Sequence, residues 1–168
     1  MKNSVSNTTL SKCITDIIEK NELKDICICP GSRNTPLTLS FTNKSSFNCI
    51  SHIDERGAGF LCLGISKASQ KPSIILTTSG TAVANLLPCA IEADLSLTPL
   101  IIITADRPKS LLYTGANQTI KQDTIFKDFI RGGLHIDLAD KPSIGQICQD
   151  LREIIKKSIG KFVYKMKE

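Results

Sequence analysis

The sequence predicts an α/β protein, in which a doubly wound, mostly parallel sheet carries helices on both faces. Four short apolar segments are typical of buried strands, and amphipathic or small-residue helical segments separate them. This alternation favours a parallel sheet covered on both faces, and the right-handed crossover rule makes that sheet doubly wound. The chain has 168 residues, of which 41% are hydrophobic, so we expect a single domain over residues 1–168.

The individual elements follow from the spacing of apolar residues. The first helix, for example, is predicted by Cys13, Ile14 and Ile17, which fall on one helical face. The predicted helices are 10–23, 35–41, 54–69, 80–95, 126–130 and 143–158. The predicted strands are 25–30, 49–53, 73–78, 100–104 and 135–138, with the start of one more at 162–164. A long polar loop, from 105 to about 122, follows the fourth strand.

Charge and composition argue against several classes of function. The net charge is +5, but the segment 156–168 contains five Lys and one Glu and so carries +4 of it. A basic end without an aromatic-rich basic stripe does not indicate nucleic-acid binding. Residues 1–9 are polar and do not resemble a secretory signal, and no apolar run reaches the length of a membrane span. We therefore expect a cytoplasmic protein with neither a nucleic-acid nor a membrane partner.

The seven cysteines are predicted to be reduced. Their number is odd, and no C-x-x-C pair occurs among them. We interpret them as small core residues of a protein in a reducing compartment, rather than as a disulfide framework or a metal site. They are Cys13, Cys27, Cys29, Cys49, Cys62, Cys89 and Cys148.

The carboxyl ends of the predicted strands carry the polar motifs, and in an open α/β sheet this edge is where sites are built. Four loops meet there, at residues 31–34, 54–56, 79–81 and 105–108. The chain has five Arg against sixteen Lys, yet Arg33, Arg56 and Arg107 all follow predicted strands. Because a planar guanidinium suits a carboxylate, we expect Arg33 and Arg107 to form an anion site. Arg56 is interpreted as an ion-pair partner at the start of a helix.

One acidic residue has an unusual setting at this edge. Glu55 follows the second predicted strand, and a helix rich in Gly and Ala begins beside it. A carboxylate with few groups to hydrate it can hold or pass a proton. Gly57 and Gly59 lack the spacing of a dinucleotide-binding loop and are interpreted as sites of close helix packing. His52 and His135 show no metal-ligand spacing and are interpreted as structural.

Taken together, five ordered segments resemble a known family. The segments are Cys29–Leu37, His52–Phe60, Thr78–Asn85, Thr104–Pro108 and Gly115–Gln122. They resemble the N-terminal pyrimidine-binding domain of the MenD family, the SEPHCHC synthases of the menaquinone pathway, which depend on thiamine diphosphate. The Glu and the Ser-Gly-x-x-x-x-Asn features also occur in acetolactate-synthase-like enzymes, whereas Pro-Gly-Ser-Arg and Ala-Asp-Arg-Pro are typical of MenD.

The resemblance implies a transferase that decarboxylates 2-oxoglutarate and adds the succinyl unit to isochorismate, with thiamine diphosphate and Mg²⁺ as cofactors. It makes Glu55 the catalytic residue that hydrogen-bonds the aminopyrimidine ring. The cofactor-binding residues it implies are Glu55, Thr81, Asn85 and Gln118. The substrate-binding residues it implies are Ser32, Arg33, Arg107, Asn117 and Gln118. It also implies self-association through the helices after Glu55 and Thr81, whose small and apolar residues are Gly57, Gly59, Ala82, Val83, Ala84, Leu86 and Leu87.

The sequence departs from the family in one respect. The Gly-Asp-Gly motif of the family's diphosphate- and magnesium-binding domain is absent. We therefore expect the chain to hold half of an active site and to be inactive alone, whether it is an excised domain, a truncated product or one subunit of a split enzyme. Two alternatives remain open: a non-catalytic module that binds an organic acid, and the pyrimidine domain of another thiamine-dependent carboligase or decarboxylase. A phylloquinone rather than a menaquinone product is also open.

Overall fold

A computed structural model describes residues 5–159 and confirms the α/β fold. The four strands are β1 (Asp25–Ile28), β2 (Asn48–Ser51), β3 (Ser73–Thr77) and β4 (Leu100–Thr104). They form a parallel sheet in the order β2-β1-β3-β4. In the register of this sheet, Ile26 lies beside Cys49 on one side and Ile74 on the other. All strands therefore end at one common edge, as the sequence predicts.

The helices cover both faces of the sheet. They are α1 (Asn7–Lys20), α2 (Thr35–Thr42), α3 (Glu55–Ser69), α4 (Thr81–Ala84), α5 (Leu87–Leu95) and α6 (Ile144–Ile159). Ile26 and Ile74 point to one face, in a core shared with α1, α2 and α6. Cys27 and Ile75, one residue further along each strand, point to the other face, in a core shared with α3 and α5. Strands buried on both faces explain why the strand segments are apolar without alternation.

Two helices replace the single helix that the sequence predicts over 80–95. α4 ends at Ala84, and α5 begins at Leu87 with Pro88 in its first turn. A proline has no backbone N–H, so Pro88 cannot donate the hydrogen bond that a continuous helix would place on the carbonyl of Ala84. Asn85 follows the last residue of α4 and caps its C-terminus.

Two further predictions are wrong. Residues 126–130 form successive turns rather than a helix, with isolated bonds such as that from Phe129 N to Phe126 O at 2.8 Å. Residues 135–138 pair with no strand in the described part of the chain, and Asp137 instead caps a 3₁₀ helix, Leu138–Asp140. The strand start predicted at 162–164 lies outside the described residues.

The expectation that all cysteines are reduced is wrong for one pair. Cys13 on α1 and Cys148 on α6 form a disulfide, with their Cα atoms 6.6 Å apart. Two adjacent helices bring these residues together across 135 positions of sequence, which spacing alone cannot show. The other five cysteines are free. Four of them are buried as predicted, whereas Cys49 is exposed on the edge strand β2.

The helices over residues 5–159 include none that is long and apolar enough to cross a membrane.

Close helix packing, predicted for the glycines of α3, is confirmed at Gly59, whereas Gly57 contacts a residue outside the helices and Gly64 has open space around it. A Cβ atom on Gly59 would lie 2.4 Å from the sulfur of Cys89 on α5, and one on Gly57 would lie 2.8 Å from the ring of His52. Any side chain at Gly59 would therefore push α3 and α5 apart.

Candidate functional site

The loop after β1 is held by one buried side chain. Asn34 is fully buried, and its Oδ1 accepts a hydrogen bond from the backbone N–H of Gly31 at 2.9 Å. Its Nδ2 donates to the carbonyl of Cys29, also at 2.9 Å. Asn34 therefore joins the end of β1 to the 3₁₀ helix Ser32–Asn34, which presents Arg33 at the sheet edge.

Arg33 is bonded to the long loop that follows β4. Its Nη1 donates to the side-chain oxygen of Gln118, and its Nη2 donates to the carbonyl of Asn117 at 3.2 Å. Its Nε is buried without a hydrogen-bond partner in the described part of the chain. A buried N–H of a cation is expensive to leave unpaired, so we expect this donor to find an acidic partner that the described residues do not supply.

Arg107 offers a second donor of the same kind. It follows β4, it is half-buried, and its Nε is also buried without a partner within residues 5–159. The carboxylate of the neighbouring Asp106 accepts the backbone N–H of Arg107 at 2.7 Å. Burial raises the pKa of Asp106, and this backbone hydrogen bond opposes the rise. Arg33 and Arg107 thus have the unpaired donors that an anion site requires.

Glu55 lies at the start of α3. Asp54 caps this helix, since its side chain accepts the backbone N–H of Gly57 at 3.0 Å. Asn85, at the end of α4, donates from Nδ2 to Oε2 of Glu55 at 3.1 Å. Burial, and then the charges of Cys27, Glu55 and Asp54, raise the pKa of Cys29, which directly follows β1, to about 12.

The apolar setting expected for Glu55 is incomplete in this chain. The residue is half-exposed, and Asn85 beside it is exposed. Because the described residues leave one side of the carboxylate open to water, exclusion of that water requires a further surface. Arg56, expected to form an ion pair, is exposed and makes none in the described part of the chain, so that interpretation is wrong.

The structure therefore joins the predicted site residues into two groups. Arg33, Asn117 and Gln118 form one, and Glu55 with Asn85 forms the other. Ser32 and Thr81 are exposed at the same edge and make no side-chain hydrogen bond within residues 5–159. The side chain of Arg107 is likewise joined to neither group by a hydrogen bond there.

One cleft among the described residues lies away from this edge. It has a volume of about 460 Å³ and is lined by residues at the amino ends of β1 and β2, such as Asp25 and Asn48. None of the predicted site residues lines it. This cleft is therefore separate from the predicted site residues.

Sequence reasoning missed three residues that hold the site loops in place. They are Asn34, Ser79 and Gln122. Ser79 donates from Oγ to the carbonyl of Gln118 at 2.8 Å. All three lie in the segments that carry the family resemblance, and this was the available signal. Nothing in their spacing shows that a polar side chain is buried and bonded between loops.

These loops and this fold define a class of protein. Residues 8–125 match the model of the family described as thiamine pyrophosphate enzyme, N-terminal TPP binding domain, and the chain belongs to that family. Thiamine pyrophosphate is another name for thiamine diphosphate, so the predicted cofactor is supported.

The particular resemblance is also confirmed. The chain is similar to proteins named 2-succinyl-5-enolpyruvyl-6-hydroxy-3-cyclohexene-1-carboxylate synthase, which is the full name of SEPHCHC synthase. It is 49% identical to that of Proteus mirabilis over 126 residues, which are 75% of this chain and 22% of the relative. It is 56% identical to that of Psychromonas ingrahamii over 110 residues, which are 66% of this chain and 19% of the relative. The chain thus spans about a fifth of the length of these curated relatives.

Proposed function

We propose that residues 1–168 form the pyrimidine-binding domain of a SEPHCHC synthase, a transferase that decarboxylates 2-oxoglutarate and adds the succinyl unit to isochorismate in menaquinone biosynthesis. One observation carries this proposal. A carboxylate, Glu55, oriented by Asn85, lies at the same sheet edge as Arg33 and Arg107, whose Nε donors are buried and unpaired. A site that only bound an organic acid would gain nothing from a carboxylate near its cations.

The residues present fit thiamine diphosphate. Asn85 donates a hydrogen bond to Oε2 of Glu55, whereas Oε1 of Glu55 has no hydrogen-bond partner within residues 5–159. When bound, this cofactor supplies the electron sink for loss of carbon dioxide from a 2-oxo acid. Glu55 would hold a proton between its free oxygen and the aminopyrimidine ring, because a carboxyl group can donate or accept there. Thr81, Asn85 and Gln118 would line the same ring.

The substrates fit the other half of the edge. 2-Oxoglutarate and isochorismate are dicarboxylates, and isochorismate also carries a hydroxyl group. Arg33 and Arg107 would bind carboxylate oxygens through the donors that are unpaired in this chain. Ser32, Asn117 and Gln118 would donate to or accept from the remaining polar groups, since hydroxyl and amide side chains can do both.

The described residues contain no group of three or more His, Cys, Asp or Glu side chains that could hold a metal ion. We propose that Mg²⁺ and the diphosphate bind to a part of the enzyme outside this chain, and that the chain is inactive alone. We also propose a cytoplasmic location and partners that include neither nucleic acid nor membrane.

Self-association is part of the proposal, through the helix after Glu55 that was expected to take part, but not through all of the residues expected there. Ala82, Val83 and Leu86 are buried within the chain, so they cannot supply the contact. Ile53 and Phe60, at and just after the start of α3, are 91% and 45% exposed. Large apolar side chains exposed beside the open site favour a covering subunit there.

The test uses a hybrid enzyme, in which this chain replaces the matching N-terminal part of the Proteus mirabilis relative. Succinyl transfer to isochorismate is then measured. We expect activity in this hybrid and none from the chain alone. Glu55→Gln should lower kcat by about 10²- to 10⁴-fold, because the amide cannot deliver the proton. The control is Glu153→Gln, on the exposed face of α6, which should leave kcat unchanged.

The arginines should give a different signature. Arg107→Ala or Arg33→Ala should mainly raise KM, at a loss of about 1.5–3 kcal/mol per charge-assisted contact, and Lys should recover only part of that loss. Arg152→Ala, at an exposed position of α6, is the control. The proposal is wrong if Glu55→Gln keeps kcat near the unsubstituted level and raises only KM. Release of carbon dioxide with a different acceptor would instead support another thiamine-dependent carboligase.

A further inference from the structure

Gln122 is a buried polar side chain in the loop that follows β4. It is 7% exposed, and both ends of its amide are bonded. Its Oε1 accepts the backbone N–H of Gly80 at 3.2 Å. Its Nε2 donates to the carbonyl of Ala105 at 2.7 Å and to the hydroxyl of Thr104 at 3.3 Å. One side chain therefore joins the residues that follow β3 and β4 to a third segment.

That third segment carries two of the predicted substrate-binding residues. Asn117 and Gln118 lie five and four positions before Gln122, respectively, and are bonded to Arg33, which follows β1. The segment is also attached at Gln118, whose carbonyl accepts the hydroxyl of Ser79. The loops after three neighbouring strands thus meet at this segment.

The approach of the segment to the sheet is close. Gly80 has a φ of +84°, and a Cβ atom there would lie 3.0 Å from the backbone of Gln118. Only glycine adopts this φ readily and leaves that room. Gly80 directly precedes α4, which ends beside Asn85, the partner of Glu55. Movement of the segment would therefore disturb both groups of site residues.

We propose that Gln122 is a positioning residue for this site. It holds the segment 117–122 across the ends of β3 and β4, so that Gln118 and Asn117 meet Arg33 and α4 begins at a fixed place. The role is indirect, because Gln122 is bonded to backbone and to Thr104 rather than aimed at the open edge. This inference rests on the proposed function for its consequence in catalysis, and on the geometry alone for its consequence in the chain.

The position requires a side chain that both accepts and donates. A leucine of similar size would leave the Gly80 N–H and the Ala105 carbonyl unpaired in a buried place. A glutamate could still accept from Gly80, but it would turn an acceptor toward the carbonyl of Ala105. The two variants Q122L and Q122E therefore separate the two bonds.

The first test uses the ¹⁵N-labelled 168-residue chain and needs no substrate. In Q122L, the Gly80 amide should exchange with solvent at least about tenfold faster than in the unsubstituted chain, while amides of β1 keep their protection. The Arg33 Nε and Gln118 signals should shift in the same variant. In Q122E, Gly80 should keep its protection, and the Ala105 and Gln118 signals should shift.

The matched control is Q146L, because Gln146 is exposed on α6 and, within residues 5–159, its side chain bonds only Asp150. It should change none of these signals. The proposal fails if Gly80 exchange in Q122L stays within about threefold of the unsubstituted value, or if Arg33 and Gln118 do not respond. If Q122L does not fold, Q122E decides, and unshifted Gln118 signals in it overturn the proposal.

The second test uses the hybrid enzyme. Q122L should raise KM for isochorismate about tenfold and change kcat less, since misplacement of Arg33, Asn117 and Gln118 weakens substrate binding. A purely structural role would lower the amount of folded enzyme and leave KM unchanged. Because the exchange experiment involves no substrate, its failure rejects the positioning role, whereas failure of the hybrid to transfer succinyl rejects the proposed function.

Discussion

Replacement of Asn34 by alanine should destabilise the chain through two lost hydrogen bonds. Asn34 is fully buried and bonds both the N–H of Gly31 and the carbonyl of Cys29, each at 2.9 Å. A hydrogen bond contributes about 0.5–1.5 kcal/mol net, so the two together give a loss of about 2 kcal/mol in the free energy of unfolding. For a domain of this size that is a fall in Tm of about 4–8 °C.

Urea unfolding and thermal scans of the two chains measure this loss. Asn43→Ala is the control, because Asn43 is exposed and makes no side-chain hydrogen bond within residues 5–159, and it should change stability by less than about 0.5 kcal/mol. Asn34→Asp should not rescue the loss, since a carboxylate keeps the acceptor for Gly31 but cannot donate to Cys29. If Asn34→Ala lowers the free energy of unfolding by no more than the control does, Asn34 does not hold this loop in place.

Three other outcomes are expected. In the native chain at pH 8, iodoacetamide should alkylate Cys49 first, because its thiol is exposed whereas those of Cys27, Cys29, Cys62 and Cys89 are buried. Mass spectrometry checks this, and equal labelling of all five free cysteines would contradict it. Sedimentation should show self-association that Ile53→Ser weakens, and a clean monomer of the unsubstituted chain at high concentration argues against the contact. Hydrogen bonds from Lys44 and then Ser46 lower the pKa of Glu19. The stability that the Lys44–Glu19 pair contributes is therefore present at neutral pH and is lost as the pH falls through the folded-state pKa of Glu19. The difference in free energy of unfolding between the unsubstituted chain and Lys44→Met should narrow in acid.

The parallel sheet was predictable because each strand is buried on both faces. Ile26 and Cys27 point to opposite cores, so both must be apolar, and such runs are visible in the sequence. The break at Pro88 was also visible, since proline cannot continue a helix, although the apolar pattern runs through it. The turns at 126–130 could not be predicted from spacing, because tertiary contacts decide them: the side chain of Phe126 packs against the core on the α3 side of the sheet.

The candidate site was predictable to the level of which loops meet, and no further. The carboxyl ends of parallel strands must share an edge, which places Arg33, Glu55 and Arg107 together by topology. The pairing of Arg33 with Gln118 depends on how a long loop folds back across the sheet. That path is set by Gln122 and Ser79, which are bonded to backbone groups that any sequence would supply.

The open edge and the two buried Nε donors have one physical explanation. Among the described residues, the Nε of Arg33 and the Nε of Arg107 are withdrawn from water without a partner, while Glu55 at the same edge remains half-exposed. We propose that the acidic groups that pair with these donors belong to ligands, and that a surface of another protein subunit covers Glu55. Ile53, exposed directly before the Asp54 cap of the Glu55 helix, lies where such a cover would make contact.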